Sequence, residues 1–173
     1  FYKLGDAAKF VDPYEPAKGL IFDGRVTEDF KLSSGTWVSV GTLRAEVIAA
    51  ASPLIQDCVI AGLDKEYIGV LAWPNMTAAR EICADPNLKT PDEILRSKAI
   101  VDFVREALQK HNKLAGGSSG RVARLMLMTE PPSIDGHEIT DKGYVNQRAT
   151  LDRRAKLVEA LYAKLPSSDV TVI

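Results

Sequence analysis

The sequence predicts an α+β fold, with a small mixed or antiparallel sheet, a β-hairpin near the N-terminus and helices packed on the sheet. Two apolar runs, residues 57–62 and 67–73, are separated by residues 63–66, which is about the length of a hairpin loop. Helical apolar stripes stand before and after this pair. Strands and helices alternate irregularly, and this irregularity favours α+β over a doubly wound parallel sheet.

The composition is that of an ordinary folded domain, with 46% hydrophobic and 26% charged residues in a chain of 173. This length can bury one core, or one core and a small satellite. The net charge of −1 argues against nucleic acid as a main partner, because phosphate binding needs a basic face. Without a recognisable signal peptide or a membrane-length apolar run, we expect no membrane partner and a cytoplasmic location.

The N-terminal 35 residues predict short strands and turns, because Pro and Gly recur between brief apolar runs. Residues 20–25 predict the first arm of a hairpin, and residues 37–40 could extend its second arm. A short helix is expected next, with one apolar face formed by Leu43, Val47, Ala50 and Ala51. The two apolar runs follow and are expected to form the centre of the sheet.

The clearest helix signal begins at Thr90, which suits the N-cap, with Pro91 in the first turn and Glu93 completing a capping box. This helix is predicted to run to about residue 114, after a shorter one over residues 76–84. The glycine and serine residues at 116–120 are interpreted as a flexible connector. A phosphate-binding loop would lead into a helix, whereas the strand-like run 122–128 follows here.

A last helix is predicted from about Asn146, with a core stripe formed by Leu151, Ala155, Val158 and Tyr162. The basic residues of this helix are interpreted as its solvated face: Arg148, Arg153, Arg154 and Lys156.

Two cysteines, Cys58 and Cys83, are interpreted as buried thiols in a strand and a helix. A disulfide scaffold or a zinc site would need more cysteines, or histidines at ligand spacing. Neither His111 nor His137 has a partner at such spacing, and no metal ligands are predicted.

Three segments carry the candidate chemistry: Tyr2-Lys3-Leu4-Gly5-Asp6, then Gly-Arg-Val-Thr-Glu-Asp-Phe-Lys-Leu-Ser-Ser-Gly at 24–35, then Gly-His-Glu-Ile-Thr-Asp-Lys-Gly at 136–143. In this order they resemble the C-terminal lid domain of the adenylate-forming (acyl-CoA synthetase) enzymes. The resemblance covers almost the whole chain. It implies that residues 1–25 are the end of the linkage to a larger N-terminal domain, with the hinge region, and that residues 26–173 are the lid.

The resemblance implies that Lys142 is the catalytic lysine of adenylation. That chemistry joins two anions, a carboxylate and the α-phosphate of ATP, so a cation placed between them stabilises the transition state. Lysine supplies a compact charge on a long flexible stem. Asp141 stands where the wider family has glycine. The string at 138–148, with residues 29–32 and 35–41, is similar to feruloyl-CoA synthase and related aryl-acid ligases.

The resemblance also assigns nucleotide binding to Asp6 and Arg25, as residues that contact the ribose hydroxyls. The hinge falls on or beside Thr27, where relatives often have Asp or Lys. The loop that serves the thioester step comprises Lys31, Ser34, Gly35 and Trp37. Trp37 could line the pantetheine tunnel or could be a core residue.

The implied enzyme is an AMP-forming acid–CoA ligase that uses ATP, Mg²⁺ and coenzyme A. Its lid rotates between the two half-reactions and works with its own N-terminal adenylation domain, so this piece alone is expected to be inactive. The alternatives are the lid of a fatty acyl-CoA synthetase, the adenylation unit of a carboxylic acid reductase, or a non-catalytic binding module. A start at Phe1 is expected of a trimmed piece rather than of a free-standing module.

Overall fold

The computed structural model describes residues 5–173, and at position 23 it describes the backbone alone. The chain begins with an antiparallel pair, β1 (Asp6–Phe10) and β2 (Leu20–Arg25), with a 3₁₀ turn between them. A second, very short pair follows, β3 (Phe30–Lys31) and β4 (Trp37–Val38).

The expected hairpin between residues 20–25 and 37–40 is therefore wrong, because each segment pairs with a nearer one. Residues 20–25 pair with β1, and residues 37–38 pair with β3. Gly35 adopts the left-handed conformation, with φ of 82°, and this allows β3 and β4 to pair across a tight turn. A short loop closes at a lower entropic cost than one that spans residues 26–36.

Helix α1 (Val40–Ala50) leads into a four-stranded mixed sheet. The strands are β5 (Ile55–Ala61), β6 (Ile68–Pro74), β7 (Val122–Leu127) and β8 (Val170–Val172), in that spatial order. The β6–β7 pair is parallel and the other two pairs are antiparallel. The predicted α+β class, mixed sheet and β5–β6 hairpin are confirmed, but β5 lies at an edge of the described sheet and not at its centre.

Between β6 and β7 lie α2 (Met76–Cys83), α3 (Pro91–Leu95) and α4 (Lys98–Leu114). The capping box of Thr90 and Glu93 is present as predicted. The single helix expected over 91–114 is instead two, because the side chain of Ser97 accepts a bond from the Ile100 amide and starts α4 afresh. Within residues 5–173, no helix has the length and apolar character needed to cross a bilayer.

The last helical segment is also divided, into α5 (Gln147–Arg153) and α6 (Ala155–Leu161), with Arg154 between them. Arg154 is only 6% exposed, so its assignment to the solvated face is wrong. Ala155 is exposed instead of lying in the core stripe. The φ and ψ of Arg154, −98° and 28°, interrupt the helix, and its side chain turns inward to an ionic partner.

The sheet is covered on both faces, which explains why β5 and β6 are nearly continuous apolar runs. Side chains such as Cys58, Ile60 and Val70 face the core shared with α1 and α4. Alternate side chains such as Val59 and Leu71 face a second core with Leu161 of α6 and with Val145. Of the two thiols predicted to be buried, Cys58 is buried and Cys83 is half-buried.

Candidate functional site

Lys142 lies at the tip of a tight β-hairpin formed by residues 139–145, hereafter the lysine hairpin. Ile139 and Val145 form its β-bridge, and the amide of Thr140 donates to the carbonyl of Tyr144 at 2.8 Å. The amide of Gly143 donates back to the Thr140 carbonyl at 2.8 Å. Gly143 has a φ of 81°, so a glycine is needed directly after the lysine. Lys142 is exposed to solvent, and the hydrogen bonds of the turn fix the position of its backbone.

The loop assigned to the thioester step has the same hydrogen-bond pattern. The amide of Leu32 donates to the Thr36 carbonyl at 2.9 Å, and the amide of Gly35 donates to the Leu32 carbonyl at 2.8 Å. Gly35, with a φ of 82°, corresponds to Gly143. Ser34 therefore takes the tip position that Lys142 takes in the lysine hairpin. Two of the motifs found in the sequence fold into one kind of turn.

The two candidate nucleotide-binding residues, Asp6 and Arg25, are direct cross-strand partners in the β1–β2 pair. Opposite residues of an antiparallel pair project from the same face, with Cβ atoms roughly 5 Å apart. The amide of Val26 donates to the Gly5 carbonyl at 2.9 Å and fixes this end of the pair. The preceding motif residues Tyr2, Lys3 and Leu4 lie outside the described residues.

Arg25 and the lysine hairpin line one groove of about 510 Å³, hereafter the arginine groove. Arg25 and Glu28 come from the end of β2 and the turn after it, Arg44 comes from α1, and Thr140 and Tyr144 come from the hairpin. The Arg44 guanidinium makes a bidentate pair with Asp57, at 2.8 and 2.7 Å, so its charge is already engaged.

A pair of glycines sets the distance between β2 and α1 at this groove. A Cβ atom on Gly24 would lie 3.1 Å from the Cα of Gly41, which is closer than nine in ten real contacts of that kind. Gly24 also has a φ of 90°. Both constraints require glycine, and together they place Arg25 beside the first turns of α1.

The candidate hinge residue Thr27 is exposed in a turn between β2 and β3. The amide of Glu28 donates to the Arg25 carbonyl at 2.9 Å and closes this turn. Beyond the turn, the side chain of Asp29 accepts from the Val40 amide at 2.9 Å and caps α1 from a distance. Thr27 also lines a separate groove of about 680 Å³ beside α5 and α6. Asp29 thus ties the chain that follows the turn to the start of α1.

Trp37 lies elsewhere, in a third groove of about 690 Å³ lined by α1 and the glycine-rich residues 116–120. Trp37 is 50% exposed, so the alternative of a core tryptophan is wrong. The ammonium of Lys31 lies 5.9 Å from its ring centroid, a cation–π distance. Lys31 and Trp37 are cross-strand partners that support the turn carrying Ser34 and Gly35.

Sequence reasoning missed a buried ion pair beneath the lysine hairpin. Glu138 is fully buried, and its carboxylate accepts from Arg154 at 2.6 and 3.0 Å. Burial alone would raise the pKa of Glu138, but bonds from Arg154 and the Ser133 amide hold it below the ordinary value. One signal was available: Arg154 lies three residues after Leu151, on the same helical face as the predicted stripe.

Among residues 5–173, no three His, Cys, Asp or Glu side chains are grouped so as to hold a metal ion.

A family model for the AMP-binding enzyme C-terminal domain matches residues 31–166. "Probable acyl-activating enzyme 16, chloroplastic" from Arabidopsis thaliana is 27% identical over 145 residues, which cover 83% of this chain and 19% of that protein. The chain therefore spans about a fifth of the length of this relative.

Among solved structures, the adenylation domain of the carboxylate reductase from Mycobacterium chelonae superposes with a TM-score of 0.71 and 25% identity, over 95% of this chain and 23% of that one. The anthranilate CoA ligase AuaEII, in complex with anthranoyl-AMP, has a TM-score of 0.54 and 23% identity, over 91% of this chain and 25% of that one, and shows the fold alone. From the family match and the shared fold, we conclude that the chain belongs to the family of AMP-binding enzyme C-terminal domains.

Proposed function

We propose that this chain is the lid domain of an AMP-forming acid–CoA ligase, with an aryl acid such as ferulate as its substrate. Residues 26–173 form the lid, and residues 1–25 form the linkage and hinge to a larger adenylation domain. The main support for this proposal is the position of Lys142 at the tip of a hydrogen-bonded hairpin. The base of this hairpin lines one groove together with Arg25.

In the first half-reaction, a carboxylate oxygen of the acid attacks the α-phosphorus of ATP. The bond from this phosphorus to the oxygen bridging to the β-phosphate breaks, and pyrophosphate leaves. Lys142 stabilises the negative charge that gathers where the two anions meet. Asp6 and Arg25 hold the ribose hydroxyls, as a carboxylate acceptor and a guanidinium donor on one strand face.

In the second half-reaction, the thiol sulfur of coenzyme A attacks the acyl carbonyl, the thiol proton is lost, and AMP leaves. The turn at 32–36 takes the place of the lysine hairpin for this step, with Gly35 giving backbone access to the pantetheine chain. Rotation occurs about the turn at residues 25–28, which joins β2 to the segment that Asp29 ties to the start of α1.

A second candidate is the adenylation unit of a carboxylic acid reductase. It is supported by the superposition on carboxylate reductase domains, whose TM-scores of 0.66 to 0.71 exceed the 0.54 of the anthranilate CoA ligase. The two candidates share Lys142 and the adenylation step. They differ in the acyl acceptor, which is coenzyme A only in the first.

The test uses the full-length protein that contains this domain, as wild type, Lys142→Ala and the control Lys110→Ala on the exposed face of α4. Acid-dependent exchange of pyrophosphate into ATP is measured with ferulate and a panel of other acids. Thioester formation is measured separately from pre-made acyl-adenylate and coenzyme A.

We expect Lys142→Ala to lower exchange by about 100-fold or more, as for loss of a charge at a transition state, and to leave the thioester step intact. Lys110→Ala should change neither the rate of pyrophosphate exchange nor the rate of thioester formation. Unimpaired exchange in Lys142→Ala would refute the proposal. Pyrophosphate exchange without formation of an acyl-CoA thioester would favour the reductase candidate. The acid that gives the highest exchange rate is assigned as the substrate.

A further inference from the structure

We propose that the ion pair between Glu138 and Arg154 positions Lys142 for adenylation by holding the lysine hairpin against the sheet. This inference rests on the proposed function of Lys142. Neither residue touches the reactants in this proposal. Both act through the hairpin backbone, and so they are positioning residues for one half-reaction.

Glu138 ties the two ends of the hairpin together through its backbone. Its amide donates to the Ser133 carbonyl at 2.9 Å, and its carbonyl accepts from the Asn146 amide at 2.8 Å. Residues 139–145 therefore leave and return to the fold at Glu138 and Asn146. The position of Glu138 determines where the hairpin stands.

The hydrogen bonds of the Glu138 carboxylate fix that position from the interior of the domain. One oxygen accepts from Nε of Arg154 at 2.6 Å, and the other accepts from its Nη2 at 3.0 Å and from the Ser133 amide at 2.7 Å. A guanidinium fork matched to both carboxylate oxygens constrains direction as well as distance. A simple point charge, even together with the Ser133 amide, would constrain the plane of the carboxylate less than this fork does.

Arg154 in turn holds the pair to the rest of the domain. Its Nη2 also donates to the Pro131 carbonyl at 2.9 Å, and its guanidinium carbon lies 5.4 Å from the ring centroid of Trp73 at the end of β6. Its backbone is the junction of α5 and α6. The ion pair thus joins the hairpin, the sheet and the last two helices at one point.

Stability alone is a weak reason to bury such a pair. Desolvating two charges offsets most of their attraction, and well-packed apolar residues often serve as well. A bidentate pair does provide a unique geometry for a short turn with few apolar contacts of its own. Within the hairpin, Val145 is buried in a core and Ile139 is partly buried against it.

The experiment compares Glu138→Gln and Arg154→Lys in the full-length protein with the control Arg153→Lys. Arg153 is the matched neighbour: it is half exposed, and its Nε lies 3.8 Å from Glu138, beyond a hydrogen bond. Pyrophosphate exchange and the thioester step from pre-made adenylate are measured for each variant. Each variant of the pair is also combined with Lys142→Ala.

We expect each variant of the pair to lower exchange by about 10- to 100-fold, the effect of misplacing a reacting group by about 1 Å. The thioester step should stay within about twofold of wild type, because it does not use Lys142. Added to Lys142→Ala, neither variant should lower exchange further, since both act through that lysine. Arg153→Lys should match wild type.

Two outcomes would overturn the inference. Equal loss of both half-reactions would show that the pair supports the whole fold, and wild-type exchange would show that the hairpin is positioned without it. If instead the proposed function of Lys142 is wrong, the Lys142→Ala variant keeps the full rate of pyrophosphate exchange. That result differs from both outcomes above, so the two failures can be told apart.

Discussion

The side-chain amide of Gln147 pairs with both backbone groups of Ile60, as a neighbouring strand would. The Ile60 amide donates to Oε1 at 3.0 Å, and Nε2 donates to the Ile60 carbonyl at 2.5 Å. Ile60 lies in β5, at an edge of the described sheet, where backbone groups need partners. Gln147 is also the first residue of α5, two positions after the last residue of the lysine hairpin, so this bond pair helps Glu138 to hold the hairpin's C-terminal side.

We predict that Gln147→Ala lowers the free energy of unfolding by about 2 to 4 kcal/mol, because two buried backbone groups lose their partners. The control Gln109→Ala, at an exposed position of α4, should change it by less than about 0.5 kcal/mol. Urea titration followed by circular dichroism measures both. Equal values for the two variants would contradict the role given to Gln147.

The shared geometry of the two turns provides a matched pair of variants, Gly143→Ala and Gly35→Ala. Each alanine would be strained at a φ near 80° and would meet no atom within 4 Å, so the local cost is the same, about 1 to 2 kcal/mol. In the full-length protein, Gly143→Ala should slow pyrophosphate exchange, and Gly35→Ala should slow thioester formation. If both variants slow the same step, the assignment of one turn to adenylation and the other to thioester formation is wrong.

The two thiols should react at very different rates. Burial raises the pKa of Cys58 to about 12, and its sulfur is inaccessible, whereas Cys83 is half-buried. With a disulfide reagent at pH 8 we expect Cys83 to react first and Cys58 to react only after unfolding in urea. The Cys83→Ser variant isolates the slow thiol, and rapid native-state labelling of that variant would contradict the packing around β5.

Acid should remove the contribution of Glu138 to stability. Burial opposes its charge, but the bonds from Arg154 and the Ser133 amide prevail and hold its pKa below the ordinary 4.5. As the pH falls below 4.5, the unfolded chain binds the proton first, and the stabilisation is lost as the pH passes through the lower folded pKa.

The wild type should therefore be more stable than Glu138→Gln at pH 6, and the difference should shrink steadily towards pH 3. Urea titrations at half-unit pH steps measure this difference. Arg153→Lys, which keeps the Glu138–Arg154 pair, should follow the wild type throughout. A difference that grows as the pH falls would show that the sign of the shift is wrong.

Local signals in the sequence predicted the elements well. The capping box at Thr90 and the period of the apolar residues in α1 depend only on neighbours a few positions away. Strand pairing was less predictable: residues 20–25 were paired with the wrong partner, because pairing depends on loop closure across the chain. The helix breaks at Ser97 and Arg154 were also missed. The apolar stripe continues across each break, so the pattern of apolar residues gives no sign that a second helix begins there.

The sequence by itself determined the motif order that predicts an adenylate-forming lid, the α+β class, and the presence of a glycine directly after Ser34 and directly after Lys142. These features reside in residue type and short spacing. Only the tertiary structure decided that Asp6 stands beside Arg25, and that Arg25 shares a groove with the lysine hairpin. It also decided that Arg154 is buried. A charged side chain can be buried only where a distant partner compensates its desolvation, and Glu138, sixteen residues away, supplies that compensation here.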